Sequence, residues 1–270
     1  MLRFFRHIRY SFIESGRVRR YLFYSIGEIA LVVIGILIAL QINNWNQDRI
    51  DRHDEDRILK SVADEMNNFR WKLAMGIETY NNVVLSSDRL LVAINDTNSS
   101  TLADSIDYDL GILTSRWLFG KGNIITIYDA LTGSGEFGLI RSAELRNLLT
   151  TYKKDILLLE SYEDIQINYV DNHLQPILNR FYNGIEITDI HQDLLTERYR
   201  LDPAQINLSI SKSKFSTDYQ GMLKSREFSN VVLQHMRRTA TLLPIYYRLR
   251  EYTAEVDSIL YSINPNWLEN

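Results

Sequence analysis

An apolar segment near the start of the chain constrains its fold more than any other feature. Residues 29–40 contain no polar or charged side chain, and Glu28 is the only charged residue between Tyr21 and Ile42. A helix over residues 21–42 would be roughly 33 Å long, which matches the hydrocarbon core of a bilayer. We therefore predict a transmembrane helix over 21–42. Because no small-residue cleavage site follows it, we expect an uncleaved signal anchor.

Six arginines precede this segment, whereas the first basic residue after it is Arg49. The positive-inside rule then places the N-terminus in the cytoplasm and the C-terminal domain in the periplasm. Residues 1–20 form a basic amphipathic pattern, so we expect this cytoplasmic segment to lie against the membrane surface. The predicted lipid-headgroup contacts are Arg3, Arg6, Arg9, Arg17, Arg19 and Arg20.

One face of the predicted span carries Glu28, Gly35 and Ala39. A carboxyl group is costly within a membrane and usually faces protein or water, unless it reaches the nearby headgroups. Gly35 and Ala39 form a small-xxx-small pair, which lets two helices approach closely. We therefore interpret the three residues as a candidate intramembrane contact with another helix.

Helical periodicity dominates the rest of the chain. Residues 43–57 are rich in charge and are predicted to form a helical stalk. Apolar residues then recur at alternating three- and four-residue steps, which is typical of a helix packed in a bundle. The positions with this spacing are Leu59, Val62, Met66, Phe69, Leu73, Gly76, Tyr80 and Val83.

A long helix is predicted from about residue 143 to 183. Ser142 is the candidate N-cap, and Pro176 should kink or split the helix. The expected inward positions are Leu145, Leu149, Tyr152, Ile156, Leu159, Ile165, Tyr169, Ile177 and Phe181.

The final helix has the clearest pattern, with Pro244 just off its inward face. Its inward positions are Phe228, Val232, His235, Thr239, Leu242, Tyr246, Leu249, Thr253, Val256, Leu260 and Ile263. We expect His235 to be a core residue with one hydrogen bond. Residues 184–221 are irregular, and the alternation at 206–210 is expected to be an extended loop. The predicted fold class is therefore all-α: a transmembrane helix, then a long-helix bundle over 58–270 with irregular connecting segments.

The sequence at 27–29 and 31–46 (GEI, then LVVIGILIALQINNWN) resembles the signature of a family of single-pass membrane proteins from Bacteroidota-type bacteria, known as a domain of unknown function. A shorter similarity lies at 128–131 and 144–147. The resemblance implies a bacterial inner-membrane protein with a basic start, one span and a helical remainder. It implies no particular activity.

Several function classes have no support in the sequence. The chain has no cysteine, which excludes disulfides and thiolate metal sites, and its net charge of −4 does not favour nucleic-acid binding. The glycines at 133–138 match a dinucleotide-binding spacing, but they are expected to form a turn between helices. The aspartates at 104–109 do not fit a calcium loop. We find no catalytic motif and no cofactor site, so we expect that the protein is not an enzyme.

The expected role is therefore interaction. We predict a membrane-anchored scaffold or accessory subunit, with the lipid bilayer and either a second copy or another membrane protein as partners. The alternative is an extracytoplasmic ligand sensor. It would also need a partner, since only about 20 residues are predicted to face the cytoplasm.

Overall fold

The structure is a computed structural model, and it describes residues 17–95, 103–114, 126–183 and 215–267. These ranges are helical and contain no strand, so the fold is all-α as the sequence predicted. Arg3, Arg6, Arg9 and the alternating pattern at 206–210 lie outside the described residues.

The helices have the following bounds in chain order. The α-helices are α1 (Arg17–Asn95), α2 (Ala103–Leu113), α3 (Thr126–Ser134), α4 (Ala143–Tyr169), α5 (Gln175–Phe181), α6 (Tyr219–Leu223) and α7 (Arg226–Ile263). A π-helical segment, Val170–Leu174, joins α4 to α5, and 3-10 turns occupy Glu136–Leu139 and Pro265–Trp267.

The chain divides into two units, Met1–Arg57 and Ile58–Asn270. In the first unit, the large apolar side chains from Leu22 to Ile42 are all exposed. This part of α1 is long and apolar enough to cross a membrane, and it is the one such segment in the described ranges.

The core of the second unit lies where α1, α4 and α7 pack together. The predicted inward positions of α1 are all buried, and so are those of α7 except Ile263. Polar contacts join α1 to α7 at the rim of this core. Arg70 Nη1 lies 2.9 Å from Asp257 Oδ2, and Asn81 donates to the Tyr247 hydroxyl at 3.1 Å. A second apolar cluster contains residues of α2, the π segment, α5, α6 and the start of α7.

The register of α4 corrects part of the sequence prediction. Leu145, Leu149, Tyr152, Ile156 and Leu159 are buried as expected. Beyond Leu159 the buried positions are polar, and the predicted inward residue Ile165 is 48% exposed. The same 4-3 spacing simply continues past Leu159, so the next two inward positions fall on a glutamate and a glutamine.

The end of α4 also differs from an ideal helix. Tyr169 and Phe181 are only partly buried, whereas Ile177 is buried as predicted. Pro176 stands in the first turn of α5, directly after the π segment. Proline cannot donate a backbone hydrogen bond, and it disturbs the preceding turn. The wider π turn before it absorbs this disturbance without ending the helix.

The glycines at 133–138 lie at the end of α3 and in the turn that leads to α4, since Gly133 belongs to α3 and Gly138 to the 3-10 turn. Gly135 has φ of +79°, a conformation that favours glycine. The residues before it are helical in α3, so the strand that a dinucleotide-binding motif requires is not present there. Ser142 then caps α4 as predicted, because its hydroxyl accepts a hydrogen bond from the Leu145 N–H at 3.1 Å.

Candidate functional site

The apolar segment of α1 presents the first candidate site. Glu28 lies at a shallow recess of about 280 Å³ on the helix surface, beside Ser25 and Val32. Gly35 and Ala39 are exposed, and a Cβ added at Gly35 would meet no atom within 4 Å. Seven- and four-residue steps keep Glu28, Gly35 and Ala39 on one side of the helix. This face is therefore open to lipid or to another helix.

Most of the predicted lipid-headgroup contacts lie outside the part of the chain that the structure describes. The described backbone begins at Arg17, the first residue of α1, and it is helical through Arg19 and Arg20. The side chains of these three arginines fall outside the described part, as do Arg3 and Arg6 entirely. Their contact with lipid stays a prediction.

A cleft of about 540 Å³ between α1 and α2 is a second candidate site. Arg89 lines this cleft, and its guanidinium group pairs with the carboxylate of Asp109 through Nε and Nη2. Nη2 also donates to the Ser86 hydroxyl at 2.8 Å. The hydrogen bond to Asp109 raises the pKa of Arg89 above its ordinary value, so this group is always charged.

The rest of the cleft combines polar and apolar side chains. Asn82 and Ala93 line it from α1, and Tyr108 lines it from α2. Tyr108 is 48% exposed, whereas Leu90 and Ile106 are buried beneath the cleft. The sequence did not single out this site, because Arg89 and Asp109 belong to different helices.

A buried polar layer between α4 and α7 is the third feature. His235 Nε2 lies 3.0 Å from the carbonyl oxygen of Leu113, which can only accept, so Nε2 carries the proton. Nδ1 then accepts from Gln166 Nε2 at 2.9 Å, and Gln166 also donates to Thr239 at 2.6 Å. His235 thus makes two hydrogen bonds, where one was predicted, and it links three helices.

Burial controls the chemistry of this layer. His235 is 2% exposed, and desolvation lowers its pKa to about 4. The imidazole is therefore neutral at pH 7, as a core residue rather than a proton carrier.

The amide oxygen of Gln166, Oε1, is also buried, and it has no hydrogen-bond partner among the described residues.

Further hydrogen bonds extend the layer along α7. Glu163, which is 1% exposed, accepts from the Tyr246 hydroxyl at 2.5 Å. Arg248 Nε lies 2.5 Å from Asp155 Oδ2 at the edge of the core. Glu163 and Gln166 were not predicted as core residues. The 4-3 spacing counted on from Leu159 would have identified both.

Comparisons with known proteins do not add a function to these sites. No protein-family model matches the chain, and neither the curated proteins nor the solved structures give a significant match. Among the described residues, no group of three His, Asp or Glu side chains could hold a metal ion.

Proposed function

We propose that this protein is a membrane-anchored helical interaction module, acting as a scaffold or as an accessory subunit of another membrane protein. In this proposal the chain crosses a bacterial inner membrane once, with a cytoplasmic N-terminus and a periplasmic helical domain. The arginine distribution before residue 21 supports that orientation.

The observation that carries the proposal is the exposure of the apolar part of α1. Side chains such as Leu31, Ile36 and Leu40 are each more than half exposed. An exposed apolar surface of this length is stable only in lipid or against another apolar surface. A helix in this setting would serve as an anchor and as a contact surface together.

The composition of the anchor indicates a protein partner in addition to lipid. Glu28 is the only charged residue in the span, and a lipid-facing carboxylate would cost several kcal/mol. Against a partner helix it could form a hydrogen bond, and Gly35 and Ala39 would allow close approach. The partner is either a second copy of the chain or another membrane protein.

Variants of the span test this contact. We would compare wild type with Glu28→Gln, Gly35→Leu and the double variant by crosslinking in native membranes. Two differently tagged copies report self-association, and mass spectrometry of the crosslinked material reports another partner. Gly35→Leu should weaken association by steric separation, and Glu28→Gln should retain part of it because an amide still forms hydrogen bonds.

Ala30→Leu is the matched control, since Ala30 lies about 160° around the helix from Glu28, on the opposite face. It should leave association unchanged. If the three test variants crosslink as strongly as wild type and as this control, the Glu28 face is not a contact surface and the interaction proposal loses its support.

A further inference from the structure

We infer that the cleft between α1 and α2 binds a small, neutral, hydroxyl-rich molecule of the saccharide class. This inference goes beyond the proposed interaction role, and it does not depend on it. The cleft volume of about 540 Å³ lies within the range of small-molecule sites in proteins.

Arg89 supplies oriented hydrogen-bond donors to this cleft. Its Nε and Nη2 atoms are held by Asp109 and Ser86, so the guanidinium plane is fixed before a ligand arrives. The remaining nitrogen, Nη1, donates to no acceptor within the ranges that the structure describes. It therefore presents N–H groups to a ligand oxygen, and their fixed orientation lowers the entropic cost of binding.

The local charges favour a neutral ligand. Asp109 is 5% exposed and neutralises Arg89, while the carboxylate of Asp88 adds a further negative charge close by. An anion would gain little from a guanidinium group that is already paired, and it would be repelled by Asp88. A cation would meet the N–H groups of Arg89 Nη1. A neutral oxygen acceptor avoids both penalties.

The other lining residues match a molecule with alternating polar and apolar faces. The Asn82 side chain lines the cleft and offers both donors and an acceptor. Sugar hydroxyls also donate and accept, so they suit an amide. The half-exposed ring of Tyr108 gives a flat apolar surface for the C–H face of a sugar ring.

Binding can be measured on the full chain in lipid nanodiscs, which avoid detergents with sugar headgroups. The probes are glucose and N-acetylglucosamine, with acetate and phosphate as charged comparisons, and saturation-transfer NMR is the readout. We expect both sugars to receive saturation from the wild-type protein and the two anions to receive none. Asn82→Ala should lower sugar affinity about fivefold through the loss of one hydrogen bond.

Tyr108→Ala should reduce sugar binding to a similar extent, and Tyr261→Ala is its matched control. Tyr261 is an exposed tyrosine of α7 that does not line the cleft. These variants are preferred to an Arg89 variant, which would leave the buried Asp109 unpaired and could unfold the domain. The inference is overturned if wild type binds neither sugar, if the anions bind instead, or if Asn82→Ala and Tyr108→Ala bind like Tyr261→Ala.

Discussion

Lowering the pH from 7 to 5 should destabilise the helical bundle by about 2 kcal/mol through His235 alone. Burial lowers the pKa of this imidazole from 6.5 to about 4. A group whose folded-state pKa is lowered binds its proton more readily in the unfolded state. The contribution of neutral His235 to the free energy of unfolding is therefore fully present above pH 6.5. It is lost as the pH drops from 6.5 towards 4.

The magnitude follows from the size of the shift. A pKa of about 4 in the folded chain against 6.5 in the unfolded chain corresponds to roughly 3 kcal/mol when the titration is complete. At pH 5 most unfolded chains carry a proton on His235 and few folded chains do. About 2 kcal/mol of the total is then lost relative to pH 7. Since His235 is 2% exposed, solvent screening does not reduce this effect much.

The assay compares wild type with His235→Asn, which lacks the titrating group. Urea unfolding of the full chain in micelles, followed by far-ultraviolet circular dichroism, gives the free energy of unfolding at each pH. Other titrating groups affect both proteins equally. Asp257, for example, has a pKa raised mainly by burial, so its contribution cancels in the difference between the two proteins.

Wild type should lose about 2 kcal/mol more than His235→Asn between pH 7 and pH 5. If the two proteins lose the same amount, His235 is not held neutral in the folded core. A protonated ring would still donate from Nε2 to Leu113, but its Nδ1 could not accept from Gln166, so that hydrogen bond would be assigned wrongly.

Two further predictions concern topology and packing. A reporter that is active only in the periplasm, fused after Asn270, should be active, and one active only in the cytoplasm should be silent; the reverse would invert the proposed orientation. Leu249→Ala should lower the free energy of unfolding by about 2–5 kcal/mol because its side chain is fully buried in α7. The exposed Tyr261→Ala should change it by less than about 0.5 kcal/mol in the same unfolding assay, and equal effects would contradict the assigned bundle face.

The apolar pattern predicted most of the fold because bundle helices need a continuous inward face. It identified the inward faces of α1, of α7 as far as Leu260, and of α4 as far as Leu159. It was wrong at Ile165, where apolar character and helical spacing give different answers. The spacing is correct there, because Gln166 has hydrogen-bond partners on α7 that make its burial favourable.

The cleft could not be predicted in the same way. Arg89 and Asp109 meet only because α2 returns alongside α1, and no local pattern fixes the placement of such a short helix. Each residue considered alone is an ordinary charged side chain on a helix. Their pairing is a property of tertiary structure, whereas the apolar segment over residues 29–40 is visible directly in the sequence.

The polar layer also decides how α4 and α7 are aligned along their lengths. Heptad patterns are degenerate, since sliding one helix by seven residues still places apolar rows together. Such a slip would move Gln166 from His235 and Thr239 to Phe228 and Val232. The buried Nε2 of Gln166 would then lose both acceptors, at a cost of about 1–3 kcal/mol. The polar residues thus fix the register of α4 against α7, because apolar packing alone would permit several alignments.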